Sequence, residues 1–153
     1  MSKREDFNSA LKEALKNKDQ VAMSTIRLII AALKDRDITA RGNGKNDGID
    51  EGEILSMLQS MIKQRQESSK TYRDNDRPEL AEREEAEIKV IQNFLPQQMS
   101  EDEAGAAIEA IIAEVGAESI KDMGKVMGVL KTKYAGQLDM GKAGGMVKAK
   151  LAG

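Results

Sequence analysis

The chain has no cysteine and no histidine. Those two absences remove Cys/His zinc sites, thiol redox chemistry and every catalytic triad that uses imidazole as its base. Any acid–base chemistry falls to carboxylates, lysine or tyrosine. Tryptophan is absent too, and aromatics reach only 3 %. The core must therefore be aliphatic, with nine methionines to fill irregular gaps. Two prolines and few β-branched runs argue against sheet. No stretch of about twenty apolar residues occurs, so no membrane-spanning segment and no membrane partner are expected. The N-terminal MSKREDFNSA carries no apolar run of the signal-peptide kind. The cytoplasm is the expected location.

What is present is the composition of helices. The 153 residues are 40 % hydrophobic and 33 % charged, rich in Ala, Leu, Ile, Met, Glu and Lys. That length suits one domain or two small ones. Net charge is only −2, but it is unevenly spread. Residues 101–118 hold six carboxylates and no base, whereas residues 119–153 hold seven lysines against Asp122 and Asp139. The lysines are either one basic face or ordinary solvated helix surface.

Helical spacing starts at once, with Phe7, Ala10, Leu11, Ala14 and Leu15 over residues 2–16. Asp19 can cap a second helix that runs to about Thr39. Its interior, VAMSTIRLIIAALK, is apolar nearly all round and predicts the buried centre of a bundle. Arg27, Lys34 and Arg41 recur every seventh residue there. They are either an ion-pair stripe against acidic neighbours or an anion-binding edge. RGNGKNDGID (residues 41–50) reads as a loop. Asp50 with Glu53 then forms a capping box for a long third helix reaching about Arg73. Pro78 suits the first turn of a fourth helix, whose acids crowd its N-terminal half. Pro96 blocks continuation. Ser100 with Glu103 opens a fifth helix that can stop at Gly116. The expected architecture is all-α: an N-terminal four-helix bundle (residues 1–96), then a C-terminal three-helix domain (residues 97–153).

The last two helices come from a repeat. DMGKVMGVLKTKY (residues 122–134) and DMGKAGGMVKAKL (residues 139–151) share seven of thirteen positions at an offset of seventeen. Each copy begins with an aspartate placed to cap a helix. On a wheel with Lys125 at zero, Met123, Val126, Met127, Leu130 and Tyr134 fall at roughly 100–200°. Gly124 and Gly128 fall outside that stripe, and Gly141 and Gly145 repeat them. A helix-interior glycine costs roughly 1 kcal/mol relative to alanine, so their placement asks for a reason. Either the glycines pack helix on helix, or they bare a backbone surface to a polyanion. The candidate polyanion-binding set is Lys121, Gly124, Lys125, Gly128, Lys131, Lys133, Gly141, Lys142, Gly145, Lys148 and Lys150. Only Tyr134 supplies an aromatic nearby, so binding would rest on phosphates and shape rather than base stacking.

RPELAEREEAEIKVIQNFLPQQMSEDE (residues 77–103), KDMGKVMGVLK (residues 121–131), KQRQES (residues 63–68) and STIRLIIAALK (residues 24–34) together resemble the GatB/YqeY family of stand-alone proteins. The resemblance covers nearly the whole chain. It implies an all-α fold whose C-terminal domain is similar to the tail of the B subunit of glutamine-dependent tRNA amidotransferases. In that enzyme the tail contacts tRNA, and the chemistry occurs in a separate large domain that has no counterpart here. The repeat, the charge distribution and the resemblance together leave three functions open. The first is a binding module for tRNA or a tRNA-bearing complex, without catalysis of its own. The second is a carbon–nitrogen ligase with glutamine as amido-N-donor, or an accessory of one. The third is a protein–protein adaptor using the glycine faces and methionines. No cofactor, catalytic residue or metal ligand is assigned.

Overall fold

The structure, a computed structural model, describes residues 2–152. It is all-α, with no strand among the described residues. Seven helices follow in order: α1 (Lys3–Lys16), α2 (Gln20–Gly42), α3 (Glu51–Asp74), α4 (Pro78–Gln92), α5 (Glu101–Val115), α6 (Met123–Lys133) and α7 (Met140–Ala152). A 3-10 turn, Ile120–Asp122, precedes α6. The chain divides into two compact units, Met1–Leu95 and Pro96–Gly153.

Capping chemistry sets most boundaries in the first unit. Ser2 and Glu5 form a reciprocal capping box on α1, and Asp50 and Glu53 form another on α3, each satisfying two otherwise orphaned N–H groups. Asp19 accepts from the Ala22 N–H at the start of α2. Pro78 sits in the first turn of α4, where its missing N–H is no loss. Inside, Phe7, Ile29, Ile54, Met57, Leu58 and Ile91 are fully buried. The Phe7 and Phe94 rings meet edge to face, 4.9 Å apart at 80°. The short connection after Asp74 folds α4 back along α3. Charge-assisted bonds tie that pair together: Arg65 Nε donates to Glu87 (2.8 Å), and Ser69 and Arg73 both donate to Glu85.

Helix α2 departs from the expectation of burial on all sides. Its inner stripe (Ile26, Ile29, Leu33, Asp37, Ala40) is buried, but Val21, Leu28 and Ile38 are 41, 48 and 57 % exposed. The helix packs on one side only, and apolar composition alone does not reveal how many sides are covered. Arg27, Lys34 and Arg41 are exposed. None of the three forms an ion pair among the described residues, so the expected stripe of satisfied pairs is not there. Arg41 Nε instead donates to the Asn46 carbonyl at 3.3 Å. The buried polar contact of this unit involves Asp37. Its carboxylate accepts both guanidinium Nη atoms of Arg4, one at 2.9 Å, and the Ile49 N–H at 2.9 Å. Gly48, at φ +82°, passes so close that a Cβ would collide with that carboxylate.

The second unit closes its own small core around Ile108, Ile111, Val126, Leu130, Leu138, Ala143 and Val147. Ser100 and Glu103 form the capping box of α5, and Gly116 ends it in the left-handed conformation, φ +67°. Gln98 and Met99 bond the Gly136 and Gln137 carbonyls, pinning the segment before α5 to the α6–α7 connection.

Candidate nucleic-acid interface on the last two helices

The two copies of the repeat begin differently. Asp139 behaves as expected: its Oδ1 accepts the Gly141 N–H (2.8 Å) and the Lys142 N–H (3.3 Å). Asp122 does not cap α6. Its Oδ2 turns back to accept the Glu118 and Ser119 N–H groups at 3.0 and 3.4 Å. Those two bonds, with Lys125 nearby, hold its carboxyl below the usual range. The 3-10 turn before α6 is the cause. It brings residues 118 and 119 within reach of Asp122, and the carboxylate leaves the first turn of α6 unoccupied by an acid.

The glycines answer the question the repeat raised. A Cβ added at Gly124, Gly128 or Gly145 would meet nothing within 4 Å. Gly141 faces only its own cap, Asp139, and among the glycines of the repeat only Gly144 approaches another helix, with Met123 Cε 3.6 Å from where its Cβ would be. Gly124, Gly128, Gly141 and Gly145 are all exposed. These four do not seat helix on helix within this unit. On α6 the glycine edge belongs to a shallow groove lined by Val115, Gly124, Lys125, Gly128, Val129, Thr132 and Lys133. Thr132, four residues past Gly128, donates to the Gly128 carbonyl at 3.0 Å. The glycine spacing of four, continued to residue 132, was the available signal for Thr132. Val115 comes from α5 and had none.

The lysines divide into two sets. Lys133 and Lys150 hold the same position in the two copies, and each turns to an α5 carboxylate. Lys133 pairs with Glu114 at 2.9 Å and Lys150 with Glu109 at 2.6 Å. The pairing raises the Lys133 pKa and lowers that of Glu109. Lys150 also borders a depression that contains Glu109 and Glu118. Lys121, Lys125, Lys131, Lys142 and Lys148 are exposed and form no ion pair among the described residues. On the wheel, Lys131 and Lys148 lie about 160° from Lys133 and Lys150. Each helix thus carries one lysine paired to α5 and, beside its glycines, lysines that form no ion pair among the described residues, although on α6 the paired Lys133 also lines the glycine groove. Such a glycine–lysine flank offers fixed positive charge beside backbone with no side chain over it, an arrangement suited to phosphate oxygens.

A family profile described as Yqey-like protein matches residues 4–151. Among relatives, a protein of Lachancea thermotolerans is 34 % identical over 107 residues, 69 % of this chain and 55 % of the relative. One of Vanderwaltozyma polyspora is 35 % identical over 56 % of this chain and 44 % of the relative. One of Saccharomyces cerevisiae is 29 % identical over 57 % and 45 %. All three are named altered inheritance of mitochondria protein 41, mitochondrial. The chain spans about half the length of these relatives. Their names overturn the cytoplasmic expectation. An apolar run is not the signal for that compartment, because mitochondrial targeting segments are amphipathic and Arg-rich rather than apolar. No described helix is long and apolar enough to cross a membrane.

Proposed function

This chain belongs to the Yqey-like protein family, and from that premise we propose that its second unit binds tRNA, or a complex carrying tRNA, along the glycine–lysine flanks of α6 and α7. The observation that carries the proposal is the coincidence of open glycines with unpaired lysines in both copies of the repeat. The resemblance of this unit to an amidotransferase tail supplies the class of RNA. With net charge −2, attraction has to be local, and contact to phosphates rather than to bases fits a surface without stacking aromatics. The proposed compartment follows the names of the relatives and is mitochondrial.

Titrating tRNA against the protein at several salt concentrations tests the reading. Each phosphate contact adds about 0.7–0.9 to the slope of log affinity against log salt. Lys125→Glu combined with Lys142→Glu should weaken binding for every tRNA tested and lower that slope. Lys133→Ala and Lys150→Ala, which remove lysines already held by carboxylates, should weaken it far less. Equal affinity in the Lys125/Lys142 variant and the parent protein would refute this face as the contact.

A further inference from the structure

Helix α2 has two apolar seams. The inner one is filled by its own unit. The outer one runs Val21, Ser24, Leu28, Ala31, Asp35, Ile38, alternating steps of three and four, and every member is exposed. That is a heptad pattern with Val21, Leu28 and Asp35 at a and Ser24, Ala31 and Ile38 at d. Small residues at two of the d sites let a second helix approach closely. The Ser24 hydroxyl is already satisfied, donating to the Val21 carbonyl at 3.2 Å. Arg27, Lys34 and Arg41 fall at g, the edge that sets partner choice in a helix pair. The seventeen steps from Val21 to Ile38, at a rise of about 1.5 Å each, make this seam roughly 26 Å long.

We propose that the outer seam of α2 docks an acidic amphipathic helix of a partner protein. The partner would carry aliphatic residues at its own a and d sites, carboxylates opposite Arg27, Lys34 and Arg41, and a basic or small polar residue facing Asp35. Charge selects this occupant. A second copy of α2 laid antiparallel sets the basic g edge against itself. Laid parallel, it sets that edge against the uncharged Ala32 and Thr39, with Thr25 buried, and Asp35 against Asp35. A nucleic acid would use the cations but leave Val21, Leu28 and Ile38 without an apolar partner. An acidic amphipathic helix satisfies both the apolar seam and its basic edge. This surface is separate in sequence and chemistry from the α6–α7 flanks, and its failure leaves the tRNA reading standing.

The probe is a synthetic 21-residue helix with Leu and Ile at a and d and Glu at e and g, with a control carrying Lys at e and g. Amide resonances of the isotope-labelled full chain report where each binds. The Glu helix should shift α2 resonances and bind at least tenfold more tightly than the Lys helix. Leu28→Glu should weaken the Glu helix at least tenfold. Arg27→Glu with Lys34→Glu, both at exposed positions, should reverse the preference between the two peptides. Binding that ignores peptide charge, or that survives Leu28→Glu, overturns the proposal. So does a tRNA titration that shifts α2 resonances while neither peptide does, because the stripe is then an anion-binding edge.

Discussion

At the scale of single residues, Asp37 shows how one polar side chain organises a loop. It is 5 % exposed, and a carboxylate so placed is tolerable only when its oxygens are occupied. Arg4 and the Ile49 N–H occupy them, joining α1, α2 and the segment before α3 at one point. The hydrogen bond from Arg4 is the main cause that lowers the Asp37 pKa from 3.8 to about 2, against the opposing effect of burial. In the unfolded chain this carboxyl protonates near its ordinary value. The unfolded state therefore binds more protons between those limits, and the contribution to stability rises with pH across them. It is fully present above about pH 4 and is lost as pH falls through about 2, a change of order 2 kcal/mol. Asp37→Asn should lower stability at neutral pH by about 2 kcal/mol, because the charge-assisted bonds from Arg4 become neutral ones while its bond to the Ile49 carbonyl remains. Denaturant unfolding from pH 2 to 7 checks both statements. The variant should lack the acid-dependent step at this site, and equal stability of the two proteins at pH 7 would contradict the account. Nothing local in the sequence marks this pair, whose members are thirty-three residues apart.

Helices were the most legible part of the chain, because their signals are local. Asp19, Asp50 with Glu53, Ser100 with Glu103, and Gly116 each act within a few residues, and each does so in the structure. Asp122 failed for a related reason: the rule that places an aspartate at a helix start does not anticipate a preceding 3-10 turn that captures it. Periodicity likewise identified the apolar residues of α2 but not which of its two seams the bundle fills. That is decided by tertiary packing, to which a one-dimensional pattern is blind. The repeat on α6 and α7 was legible as a duplicated face, and its openness was not, since glycine suits either close packing or a bare surface. The two uses now separate by experiment. Gly124, Gly128 and Gly145 have room for a methyl group, and alanine at a helix-interior site favours the helix by up to about 1 kcal/mol each. Gly→Ala at all three should therefore raise the thermal midpoint of the second unit by several degrees. If phosphates approach the bare backbone, the same variant should bind tRNA more weakly. Higher stability with undiminished affinity would leave binding to the lysines alone, and a fall in stability would contradict the open geometry.

At the scale of the molecule, the two units differ in how much they bury. The core cluster of the first runs from Phe7 to Phe94 and includes fifteen buried residues among those described. That of the second includes seven, in roughly sixty residues of chain, a size at which burial is marginal. Its helices carry a further burden: five glycines along α6 and α7, two of them adjacent at Gly144–Gly145 midway along α7. Exposed backbone and a thin core are the conditions for low-energy local opening. Native-state hydrogen exchange on the full chain should accordingly show two classes of amide. Those of α3 and α4, around Ile54, Met57, Leu58 and Ile91, should exchange only through the largest opening of the first unit. Those of α5, α6 and α7 should exchange through a separate opening of lower free energy, responding to denaturant with a smaller slope, because less surface is exposed. Adding tRNA should slow exchange in α6 and α7 and leave the α3 and α4 amides unchanged, since a ligand stabilises only what opens when it leaves. A single protection level shared by both units would mean that the second does not open independently. Slowing confined to the first unit would move the RNA contact off the repeat.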